Sequence, residues 1–97
     1  NQIMQKINDK VSQFVAECVD MHGFTDLAEV TFAGREGSNH PHRSNARRVM
    51  EYGDAVYTIF DQVCAEIMAT REDSVKEFED YIQHIPVPTR LPDHPQG

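Results

Sequence analysis

Arg35, Arg43, Arg47 and Arg48, four of the nine basic residues, fall in a window of fourteen residues whose single acid is Glu36. His40 and His42 lie in the same window. Arg43, Ser44, Asn45, Arg47 and Arg48 straddle the predicted start of the longest helix. Unpaired backbone N–H groups and the helix dipole favour an anion at such a position. A guanidinium adds a planar fork of donors that matches carboxylate or phosphate oxygens, so phosphate is the natural ligand class. The expected ligand-binding set is therefore Arg35, His40, His42, Arg43, Ser44, Asn45, Arg47 and Arg48, and the expected ligand is a nucleotide or phosphate. The spacing matches neither GxxxxGK[ST] nor GxGxxG, so the expectation rests on charge and helix polarity. The competing expectation pairs these arginines with carboxylates, within the chain or across an oligomer interface.

Other constellations are incomplete. His40-Pro41-His42 supplies two imidazoles where a metal site needs three or four ligands of defined geometry, and no further Cys, His or Asp cluster lies nearby in sequence, so no metal or cofactor is expected. Three Glu-x-x-Asp pairs, Glu17 with Asp20, Glu51 with Asp54 and Glu77 with Asp80, put carboxylates on shared helix faces. Helical bundles can bind Mg²⁺ between such faces, which leaves an all-α nucleotide pyrophosphohydrolase as an alternative. Glu51, Asp54, Glu77 and Asp80 project away from the apolar seams, however, and the pairs read as solvated faces. Cys18 and Cys64 fall on core-facing helix positions and read as buried thiols, and no Ser-His-Asp grouping stands out. An enzyme is the minority expectation.

A chain of 97 residues allows one hydrophobic core and predicts a single domain. Sixteen acidic against nine basic residues give a formal charge of -7. With the basic window set aside, the rest of the chain carries ten net negative charges, which repel duplex nucleic acid and anionic membranes. No apolar run approaches the roughly 20 residues needed to cross a bilayer, and no signal pattern opens the chain, so a soluble, cytoplasmic protein is expected.

The candidate residues need elements to hold them. Met4, Ile7, Val11, Phe14, Cys18 and Met21 recur at spacings of three and four and predict a helix over residues 2–22, ended by His22-Gly23. Thr25 is the expected cap of a short second helix through Leu27, Ala28, Val30 and Phe32, stopped by Gly34. The stretch GREGSNHPHR, residues 34–43, has the composition of a loop. Ser44 is the expected cap of the longest helix, whose seam of Ala46, Val49, Gly53, Val56, Phe60, Val63 and Ile67 runs to about Thr70. Gly53 inside that seam suggests a close helix approach, because an interior glycine otherwise costs about 1 kcal/mol relative to alanine. Ser74 and Glu77 form a capping-box pattern that either opens a fourth helix or continues the third. Four prolines from Pro86 onward predict an extended tail over 86–97, free, docked on a partner or folded back on the domain of residues 1–85.

The sequence thus predicts an all-α fold. It is a small bundle of three to four helices, two of them long and seam-bearing, with a short connector helix and a Pro-rich tail. A chain this short would complete its seams with a second copy, so a homo-oligomer is expected. The expected function is that of a non-catalytic binding or regulatory protein that sequesters an anionic ligand at the basic helix N-terminus. A second possibility is an acidic module that inhibits a protein partner, as accessory or virus-encoded inhibitors do.

Overall fold

The computed structural model describes residues 2–71 and 74–89. Among them are four helices and no strand: α1 Gln2–Met21, α2 Leu27–Gly34, α3 Arg43–Ala69 and α4 Phe78–Ile82. The small all-α bundle read from the sequence is the fold observed. The third and fourth helices are separate, since Thr70 takes an extended conformation.

In α1 the seam residues Ile7, Val11, Phe14 and Cys18 are buried, joined by Val15 and Val19. The helix ends in a Schellman motif. Gly23, at φ 82°, occupies the left-handed position, the Phe24 N–H donates to Val19 O at 3.1 Å, and the Gly23 N–H donates to Asp20 O at 3.0 Å. Phe24 is buried in the same apolar cluster as Val19, the hydrophobic contact that accompanies this motif.

The helix starts depart from expectation by one to three residues. Asp26, not Thr25, caps α2, its Oδ1 accepting the Glu29 N–H at 2.8 Å, while Glu29 Oε1 accepts the Thr25 N–H at 2.9 Å. Both neighbours are capping residues, and aspartate adds a full charge at the positive end of the dipole. The α3 cap is His42, without a side-chain cap hydrogen bond, and Ser44 falls inside the first turn. The fourth helix begins after Glu77, whose N–H donates to Asp80 Oδ2 at 3.3 Å, so the box expected from Ser74 to Glu77 lies three residues further on.

The apolar residues form two clusters along an elongated molecule of 51 × 22 × 17 Å. Ile7, Val11, Phe14 and Val15 meet Val56, Val63, Ile67, Tyr81 and Ile85 at one end, while Cys18, Val19, Phe24, Val30, Ala33, Ala46 and Val49 meet at the other. The start of α1 thus faces the end of α3, an antiparallel pair on which the short helices lie. A helix of five residues is far below the ~12–15 residues at which isolated helices become even marginal. Burial of Tyr81 and Ile85, each contributing about 1.5–3 kcal/mol, holds it in place. Leu27, Ala28 and Phe32 of α2 are exposed, contrary to the seam drawn through them, and Val30, Ala33 and Gly34 are its buried residues. Cys64 is only half-buried, unlike Cys18, and both thiols are free.

Tyr52 touches both clusters and donates its hydroxyl hydrogen to Pro86 O at 2.8 Å. With Pro88 buried, residues 86–89 lie back on the helices. The rest of the Pro-rich stretch lies outside the described residues. No helix among the described residues is long and apolar enough to cross a membrane.

The glycines reverse expectation. A Cβ on Gly53 would meet nothing within 4 Å, so no close approach explains it. The glycine that α3 does approach closely is Gly34, where a Cβ would lie 2.7 Å from Met50 Sδ and 3.2 Å from Ala46 Cβ. Gly53→Ala should therefore raise stability by about 0.5–1 kcal/mol, and Gly34→Ala should lower it by about 1–3 kcal/mol. Urea unfolding of the two variants checks the opposite signs.

Tyr52 supplies a pH test. Burial first, and then the negative charges that Cys18 and Glu17 acquire, push its phenol from 10.0 up to about 12. The folded chain holds this proton more tightly than the unfolded chain. Tyr52 therefore contributes stability that is complete below pH 10 and is lost as pH rises from 10 towards 12. Tyr52→Phe should cost about 1 kcal/mol at neutral pH and flatten the alkaline limb of the denaturation profile.

Candidate functional site

The basic window forms the corner between α2 and α3, and much of its charge is directed at the backbone. The last carbonyls of a helix lack intrahelical donors and sit at the negative end of its dipole. Here arginines supply the donors. Arg47 donates to Gly34 O at 3.2 Å and Arg43 to Arg35 O at 3.3 Å, while Arg35 donates to Phe32 O and lies over the Phe32 ring, 4.2 Å from its centroid. Arg43 and Arg47 thereby tie the end of α2 to the first turns of α3. The three guanidiniums contact the backbone rather than a shared anion pocket. Arg48, also on α3, is half-buried.

The loop between the helices is held by its own residues. The Ser38 N–H donates to Arg35 O at 3.1 Å, the His40 N–H to Ser38 Oγ at 3.1 Å, and the His42 N–H to His40 Nδ1 at 3.1 Å. That last bond makes His40 Nδ1 an acceptor and leaves the neutral ring's proton on Nε2. The two imidazoles lie 5.8 Å apart and tilted by 50°.

Beside this loop, the N-terminus of α3 opens on a cleft of ≈ 470 Å³ lined by His22, Gly23, Phe24, Glu29, His40, His42 and Asn45. Of the expected set, His40, His42 and Asn45 line this cleft, with Ser44 next to them in the first helical turn. The arginines form the neighbouring corner rather than the lining.

His22 and Glu29 were not legible as site residues. His22 reads in sequence as the residue that ends α1, and Glu29 as one of many surface acids. The available signal was a histidine four residues after Cys18 and directly before a helix-ending glycine. A ring there can reach back to the helix's last carbonyls. His22 does so, its Nδ1 lying 2.8 Å from Cys18 O and 3.7 Å from Cys18 Sγ.

The other candidate chemistries find less support in the geometry. Among the described residues, no group of three or more His, Cys, Asp or Glu is placed to hold a metal ion. Asp80 is used at the start of α4, and Glu51 and Asp54 are exposed on α3. Burial raises the pKa of both thiols, with Asp61 adding to the effect at Cys64, which disfavours the nucleophilic thiolate. No family model, curated protein or solved structure matches the chain.

Proposed function

We propose that this chain is a small non-catalytic binding protein that holds a phosphate-bearing small molecule, of the nucleotide class, at the N-terminus of α3. The observation that carries the reading is that this 27-residue helix starts without a side-chain cap and opens on a histidine-lined cleft. The His42 and Arg43 N–H groups donate to His40, so the attraction for an anion rests on the positive end of the helix dipole and the neighbouring guanidiniums rather than on open amides. The arginines act here as a local positive field and as the brace of the α2–α3 corner, in a chain whose remaining charge is negative. A volume of ≈ 470 Å³ lies in the ~300–1,000 Å³ range of small-ligand sites.

The same reading includes self-association. Leu27 and Phe32, 52% and 60% exposed on the short helix α2, are apolar side chains that a second copy would cover. Sedimentation that finds a monomer at every concentration removes this part of the proposal.

A thermal-shift screen of nucleoside phosphates and orthophosphate, with and without Mg²⁺, tests the function. A ligand at a hundred times its dissociation constant stabilises by about 2.7 kcal/mol, which corresponds to roughly 10–20 °C in Tm for a domain of this size. Ser44→Asp, which places a carboxylate in the first turn of α3, should keep the fold and abolish the shift. Arg47→Ala should instead lower the starting Tm, because it removes the donor to Gly34 O. No shift with any phosphate compound refutes the proposal. Mg²⁺-dependent turnover lost in Glu51→Gln would replace it with the hydrolase alternative.

A further inference from the structure

The two short helices lie on opposite sides of the α1–α3 pair. Phe78 of α4 lines one cleft with Lys6, Lys10 and Gln13 of α1, whereas Leu27 of α2 lines another with Ser12 and Ala16 of α1 and Tyr57 of α3. With eight residues, α2 covers only one end of its side, where Gly34 meets Ala46 and Met50. Beyond it, no element among the described residues covers α1 at Asn8, Ser12 and Ala16, which are exposed or half-buried. The same holds for α3 at Tyr57, Phe60, Cys64 and Met68. Spacings of three and four set each group along one helix face, so together they form a continuous strip. None of its residues is charged, in a chain of net charge -7. The charged residues of α1, Lys6, Asp9, Lys10, Glu17 and Asp20, all fall outside this arc, and Asp54 and Asp61 flank it on α3. At the α2 end the strip sinks into a cleft of ≈ 370 Å³, floored by Val15 and Val19 and edged by Leu27 and Tyr57. The charged residue in its lining is Asp26, whose carboxylate accepts the Glu29 N–H. At the other end stands Met68, 77% exposed, the most exposed large apolar side chain among the described residues.

We propose that a second copy of this chain seats on the strip, with Met68 of each copy filling the cleft of the other. Met68 follows Tyr57 along α3 by about 16 Å, or three turns. A two-fold axis crossing the strip between Phe60 and Cys64 exchanges its two ends, so each methionine meets a cleft and both contacts form at once. A face that carries both a projection and a hollow to receive it is self-complementary, as an isologous pair requires. An unbranched thioether also fills an irregular apolar hollow readily. Charge selects the same occupant. Two copies repel each other over most of their surface and meet where charge is absent, whereas a basic partner would gain more from the faces that carry carboxylates. The inference rests on the self-association proposed above and assigns it to one face.

Sedimentation equilibrium of the full chain should find a dimer that tightens as salt rises, because screening weakens the repulsion between two chains of the same sign. Ala16→Lys and Met68→Glu, each at an exposed position, should keep the helical circular dichroism and weaken the dimer roughly a hundredfold, since each buries an unpaired charge. An equimolar mixture of the two variants should recover a dimer. There the new carboxylate enters the cleft that carries the new ammonium, while the other contact stays native. If neither variant weakens the dimer but Phe32→Glu does, this face is overturned while self-association stands. A mixture that stays monomeric, or a dimer that loosens as salt rises, overturns the proposal as well. If the wild type is a monomer at every concentration, both readings fall.

Discussion

The corner of the molecule depends on the absence of one side chain. Because Gly34 has no Cβ, the end of α2 settles against Ala46 and Met50 of α3 at a distance that alanine could not tolerate without displacing a neighbour. That contact brings the last carbonyls of α2 within reach of guanidiniums from α3, and Arg43 and Arg47 bind them. The chain leaving α2 must then double back within eight residues, Arg35 to His42, to begin α3 beside the end of α1. The cleft lies between the end of α1, Glu29 in the first turn of α2, His40 of the loop and the start of α3.

Most of the fold was legible in the sequence because the long helices repeat apolar residues at spacings of three and four, and burial enforces that period. The caps were less legible. Thr25 and Asp26 are adjacent and both can accept a backbone N–H, and only the path of the chain decides which one does. His42 and Ser44 present the same ambiguity, and there the residue without a usable acceptor took the position. Gly53 and Gly34 show a deeper limit. A glycine in a seam and a glycine at a helix end look like opposite cases in sequence, yet close approach depends on which helix crosses where.

The site was half legible for a related reason. His40, His42, Ser44 and Asn45 are contiguous with the helix start and could be found from charge and polarity. The contributions of His22 and Glu29 come from other helices, 18 and 11 residues before His40, and depend on how three termini converge. The arginines dominated the sequence signal because they are charged. A guanidinium beside a helix C-terminus has a nearer partner than any ligand, and sequence alone does not show that the end of α2 is close to Arg47.

Cys18 O accepts two hydrogens from the same residue, the His22 backbone N–H at 3.2 Å and the imidazole Nδ1 at 2.8 Å. The final turn of α1 and the protonation pattern of a ring in the cleft are therefore joined at one oxygen atom. Fraying of that turn would free the ring to rotate and to exchange its tautomer, and ordering of the ring would tighten the turn. In amide hydrogen exchange, protection at the end of α1 would then report occupancy of the cleft, while the distant cluster around Tyr81 kept its own opening rate. At one of the two apolar clusters of this elongated bundle, the last turn of a helix and the orientation of a buried ring are thus set by a single oxygen atom.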